Sequence, residues 1–131
     1  MAKTALRSTC AQGNVVQFPG RFNPPPSPKQ QFLRACMEAE AAKAYYDWTF
    51  ARCGLAQLDG DPAAIKAERA EHQRAFDQLL ESVDRLADVP ATCKPFLDRK
   101  RRVIGKMWLK AEGPWGDRLR QCVEADAARL G

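Results

Sequence analysis

The segment Asp61–Asp88, DPAAIKAERAEHQRAFDQLLESVDRLAD, decides the fold. Asp61 before Pro62 is a helix start: the carboxylate can accept from free backbone N–H groups, and proline suits the first helical position. From there Ile65, Arg69, His72, Phe76, Leu79, Val83 and Leu86 recur at alternating spacings of four and three. That period brings each residue back to one side of a helix and makes a seam for a second helix. The chain before it carries the counterpart. Met37, Ala41, Ala44, Trp48, Ala51 and Leu55 repeat with the same spacing. The pattern predicts helices over about 28–53, closed by Gly54, and 62–88, joined through the loop GLAQLDGD and folded back as an antiparallel hairpin. A second stripe on the first helix, Phe32, Cys36, Tyr46, Phe50 and Cys53, makes it apolar on two sides, and such a helix needs two neighbours.

Beyond the hairpin, Asp88-Val89-Pro90-Ala91-Thr92 breaks the chain, and Thr92 or Lys94 can cap a third helix over about 95–111. Glu112-Gly113-Pro114 ends it. A fourth helix over about 114–130 presents Trp115, Leu119, Cys122, Val123 and Leu130. The expected fold is all-α: a long antiparallel helical hairpin plus a shorter helix pair in one domain, residues 29–131. Residues 1–28 contain five prolines and run into NPPPSPK (23–29), whose three consecutive prolines exclude helix. They are expected to form a mobile tail, whose segment VVQFPGRF offers Phe18, Arg21 and Phe22 as a docking motif.

Composition bounds the function. The 131 residues carry a net charge of +5, unevenly placed. Residues 1–29 hold four cations and no acid, residues 30–90 seven cations and eleven acids, and residues 91–131 ten cations and five acids. An acidic middle between basic flanks allows internal attraction, or an acidic partner at either flank. No run approaches the ~18 apolar residues of a membrane span, and the first residues lack the apolar core of a secretion signal. A cytoplasmic protein without a membrane association is expected. The five cysteines, Cys10, Cys36, Cys53, Cys93 and Cys122, form no CxxC pair and no Cys/His cluster, which argues for free thiols and against zinc.

Little here suggests catalysis. His72, the single histidine, falls on the apolar seam, where a half-buried structural role is expected. No serine or cysteine stands in a nucleophile motif, no glycine-rich phosphate loop is present, and the paired acids read as solvated faces. The chain is expected to be no enzyme and to need no cofactor, metal or small-molecule substrate. The remaining candidate is KPFLDRKRRVIGKMWLK, residues 94–110, with seven cations and one acid. As one helix it would set Arg99, Arg102, Lys106 and Lys110 on a single stripe, with Arg101 beside it and Phe96, Val103, Ile104, Met107 and Trp108 opposite. Lys100 falls within the apolar arc and would have to snorkel. Leu109 would stand beside the cations. Gly105 would sit mid-helix, as if something approached closely there.

The segment ESVDRLADVPATCKPFLDRKRRV (81–103) resembles a group of small helical proteins of alphaproteobacterial prophages and mobile elements, in which a long helix ends in a Pro-Ala-Thr turn and a basic helix follows. Lys94-Pro95 stand where that group usually has a glycine. The resemblance implies an accessory protein of a mobile element and assigns no residue a role. Two functions follow as expectations. The first is a non-enzymatic interaction module (adaptor, inhibitor or assembly component) that binds a protein or itself. The alternative is a nucleic-acid-binding accessory protein whose basic helix tracks phosphates with little sequence preference. A redox-sensitive protein using Cys10 or Cys93 is a third.

Overall fold

The computed structural model describes residues 24–131, and every regular element within them is helical. The order is α1 (Pro28–Asp59), α2 (Pro62–Asp88), α3 (Lys94–Ile104), the one-turn α4 (Lys106–Leu109) and α5 (Pro114–Leu130). The tail motif with Phe18, Arg21 and Phe22 lies outside the described residues. Ser27 starts α1 through a reciprocal cap: its Oγ accepts from Gln30 N–H at 3.1 Å while Gln30 Oε1 accepts from Ser27 N–H at 2.9 Å. Asp61 caps α2 as expected, accepting from Ala63 N–H at 3.1 Å.

The all-α hairpin is as expected, but α1 is longer. Gly54 lies inside the helix, and the left-handed Gly60 ends it six residues later. A glycine costs an exposed helix only about 1 kcal/mol, less than the pairing of another turn and a half returns. The loop thus shrinks to the link Gly60–Asp61.

The larger correction concerns the face of α1 that meets α2. Met37, Ala41, Ala44, Trp48, Ala51 and Leu55 face solvent. The pairing stripe is Ala35, Ala39, Ala42, Tyr46, Thr49, Cys53 and Ala56, all buried or half-buried and also spaced four and three. Two stripes of one period lie on nearly opposite sides of this helix, so spacing could not choose between them. Continuity decides: Phe32 and Cys36 adjoin the second stripe, and one broad arc can then meet α2 and α3 together. Phe32 is fully buried and stacks on Phe96 of α3, with ring centroids 5.0 Å apart. Phe50, expected on the same face, is exposed, its ring 5.8 Å from that of His72.

On α2 the stripe toward α1 runs Ile65, Glu68, His72, Ala75, Leu79, Ser82 and Leu86. Arg69, expected there, is exposed. Phe76 lies beside this stripe, between Tyr46 of α1 (5.8 Å) and Trp108 (6.2 Å). His72 is half-buried, as expected; its Nδ1 lies 2.9 Å from Thr49 Oγ1 and its ring 4.6 Å from Tyr46. Arg85 pairs with Glu38 on α1 (3.8 Å).

The basic segment is two helices. Gly105 adopts φ 89 and ψ 150, which breaks the chain between α3 and α4. A Cβ there would meet nothing nearer than Trp108 Cδ1 at 3.8 Å, so glycine is needed for its backbone angles rather than for close approach. The break swings Leu109 onto the core instead of beside the cations. α3 begins after Cys93, which occupies the N-cap without a side-chain bond, rather than after Thr92 or Lys94.

Together the elements make a body and an arm. The core of the body gathers Phe32, Cys36, Leu79, Val83, Leu86, Leu97, Ile104 and Leu119 where α3–α5 pack across the open end of the hairpin. Trp115 anchors α5, edge-on to Trp108 (5.2 Å), and also donates to Asp84 at 2.7 Å. The closed end of the hairpin is the arm: the hydrogen bonds and ion pairs of residues 47–71 all remain within α1 and α2, such as Arg52 with Glu68 and Tyr45 with Glu71.

Candidate functional site

One broad surface stands out. The stripe expected to bind α2 lies along the outside of α1, and the added turn of helix continues it to Leu58. Met37, Trp48, Leu55 and Leu58 are large apolar side chains in solvent, Leu58 at 84% exposure and Trp48 at 52%. Ala41, Ala44 and Ala51 lie between them, also exposed. At 100° per residue the stripe spans an arc about 100° wide, and its length is about 32 Å at 1.5 Å per residue. Scattered exposed leucines are ordinary, whereas a continuous helical stripe marks a contact surface. Its rims are polar. Glu38, Tyr45, Arg52 and Asp59 follow one edge and Glu40 and Asp47 the other. Arg52 lies over the Trp48 ring at 4.8 Å, which fixes the indole in place, and Lys43 bonds Asp47 at 2.8 Å. At the N-terminal end of the stripe, Pro24, Pro26, Gln30, Leu33, Arg34 and Met37 line an open groove of about 750 Å³.

The predicted basic residues are not brought together as one stripe. Arg99 turns to α1, where its Nε and Nη2 donate to Glu40 at 3.2 and 2.8 Å. Arg101 is exposed, 3.5 Å from Asp98. Arg102 and Lys106 are exposed on either side of the Gly105 break and, with Lys43 and Trp108, line a groove of about 430 Å³. Lys110 follows α4, exposed, and does not line that groove. The basic surface is therefore a local patch at a helix break.

Lys100 does not snorkel. It is fully buried, and its ammonium donates to Ala87 O at 3.0 Å, Val89 O at 2.9 Å and Asp126 Oδ2 at 2.7 Å, using all three of its protons. Burial by itself would push the Asp126 carboxyl up. The bonds from Lys100, the Ala91 N–H and Arg129 outweigh that and hold it below its usual range. Every charge here is satisfied internally, so the pair is a staple. Nothing in the sequence marked Asp126 as its partner, but a lysine inside an apolar arc was the signal that one was required.

Cys36 is buried, and burial pushes its thiol up against the opposing pull of Arg99. Cys53, Cys93 and Cys122 are half-buried free thiols, and Cys10 lies outside the described residues. Among the described residues no helix is long and apolar enough to cross a membrane. Compared with protein-family models, curated proteins and solved structures, the chain matches none.

Proposed function

We propose that the protein is a non-enzymatic helical interaction module that engages a protein through the outer face of α1. The observation that carries this reading is the apolar four-three stripe from Met37 to Leu58, which the fold leaves in solvent although its spacing is that of a helix-pairing seam. Large anchors separated by alanines give a surface into which another helix can sink, as in helix-in-groove recognition. The body, stapled by Lys100 and Asp126, holds the arm that presents the distal part of the stripe. An adaptor or assembly component of a mobile element would use such an arm, in keeping with the resemblance at residues 81–103. Capture of partners from the native host, with and without nuclease, tests the reading. Trp48→Asp and Leu55→Glu should abolish a nuclease-resistant complex while helicity by circular dichroism is unchanged. A complex indifferent to both substitutions would sink it.

A second reading rests on the patch at the α3–α4 break. Arg102 and Lys106 are exposed around one groove, with Arg101 and Lys110 near in sequence, and cations so placed can contact phosphates. Fluorescence anisotropy on DNA and RNA over a salt series tests it: Arg102→Glu with Lys106→Glu should abolish salt-dependent binding. Arg99→Glu is not the matching test, because it also breaks the Glu40 pair.

A further inference from the structure

We infer that the partner of the α1 face is a second copy of this chain, packed antiparallel against the same stripe. This rests on the proposed function and narrows it to one occupant. The stripe is self-complementary when reversed. With a twofold axis at the level of residue 46, Met37 meets the partner's Leu55, Ala41 meets the partner's Ala51, and Ala44 meets the partner's Trp48. Each bulky indole then faces an alanine, and the Ala41–Ala51 layers let the backbones come close.

Two further observations agree with this register. Leu58, the most exposed of the large apolar residues, lies twelve residues from the axis, and so does Arg34 on the other side. The partner's Leu58 therefore lands on the open groove lined by Pro24, Pro26, Leu33, Arg34 and Met37, a cavity of about 750 Å³ with apolar walls for it to enter. On the rim, Glu38 comes within two residues of the level of the partner's Arg52, twice by symmetry. Arg52, which bonds Glu68, and Glu38, which faces Arg85, would each join a charge network across the two copies. A parallel pairing would instead align Trp48 with the partner's Trp48, bulk against bulk, and would bring opposite rims together, so that Glu38 and Arg52 would not meet. Asp47 approaches its own copy near the axis, and Lys43, 2.8 Å from it, offsets that charge.

Two arms laid together would form a four-helix bundle.

Sedimentation velocity of the full chain from about 1 to about 100 µM tests this. The expected result is a monomer–dimer equilibrium in that range. Ala44→Glu, at an exposed position, should weaken it by about tenfold or more with helicity unchanged. Glu38→Arg and Arg52→Glu each also break a pair within the chain, with Arg85 and Glu68, so monomer stability is measured beside affinity. Each should weaken the dimer, and the double variant should recover most of that loss of affinity, a pattern that antiparallel but not parallel pairing gives. A chain that stays monomeric at about 100 µM, or a dimer indifferent to Ala44→Glu, overturns the inference. If that monomeric chain still captures a host protein through Trp48 and Leu55, the proposed function stands without the dimer; loss of both removes the two together.

Discussion

Lys100 Nζ lies 2.7 Å from Asp126 Oδ2 in the interior of the body, and the pair joins three segments far apart in the chain. The lysine comes from α3 and the aspartate from α5. The two further acceptors, Ala87 O and Val89 O, are the carbonyls at the frayed end of α2, where a helix leaves its last acceptors unpaired. Asp126 in turn accepts from Ala91 N–H at 3.1 Å, in the turn that follows. One ion pair thus closes the end of α2, fixes the Pro90 turn and clamps the two short helices to it.

Lys100→Met should destabilise the fold by about 3–5 kcal/mol, because it strands a buried carboxylate as well as two carbonyls. Urea denaturation followed by circular dichroism measures this. A loss below about 1 kcal/mol would mean that water reaches the site and replaces the ammonium.

Acid should loosen the same joint. The folded protein holds the Asp126 carboxyl below its ordinary value of 3.8, so the unfolded chain binds that proton more readily. The stabilisation is therefore complete above about pH 4–5 and is lost as pH falls through the lower, folded value. Urea midpoints measured from pH 7 down to 2 should drop most steeply at the acid end, and Asp126→Asn should flatten part of that slope.

Three glycines should respond in opposite ways. A Cβ on Gly116 would lie 2.0 Å from the Ala111 carbonyl oxygen, a backbone atom that also accepts from Arg120 at 2.8 Å. Gly116→Ala should therefore cost about 1–3 kcal/mol, the range for overpacking. Gly54 is helical, and a Cβ there meets nothing within 4 Å. Gly54→Ala should stabilise α1 by about 0.5–1 kcal/mol. Gly105→Ala should be destabilising although there is room for the methyl group, because φ 89 suits only glycine. Thermal melts of the three variants rank them.

The two stripes of α1 predict a contrast between neighbouring sites. Ala39, 1% exposed, faces the core, whereas Met37 faces solvent. Ala39→Glu should prevent folding or cost more than about 4 kcal/mol, through overpacking and a buried charge. Met37→Glu should stay within about 0.5 kcal/mol in the monomer. Equal effects at the two sites would return the pairing face to the stripe first read from the sequence.

The helical class, the α2 cap and the antiparallel hairpin were legible because they follow from local chemistry: Asp61-Pro62, a sustained four-three period, and breakers at Pro90 and Gly113. The face of α1 was not legible, because Met37–Leu55 and Ala35–Ala56 share one period and differ only in what the rest of the chain brings to them. Gly105 misled in the same manner. As a residue it is compatible with a costly helix interior or with a break, and the packing of Trp108 and Leu109 on the core selects the break. The basic stripe was legible as composition but not as geometry, since Arg99 turns to Glu40 and the helix ends before Lys106.

The two-residue link Gly60–Asp61 also bears on the order of assembly. Closing so short a connection costs little chain entropy, and the contacts it permits, such as Arg52 with Glu68, span only sixteen residues. The staple has to bring together residues twenty-six apart and strip water from two charges before it returns anything. Folding should therefore start at the tip and finish at the staple. Substitutions near Arg52 and Glu68 would then slow folding, while substitutions at Lys100 would mainly speed unfolding.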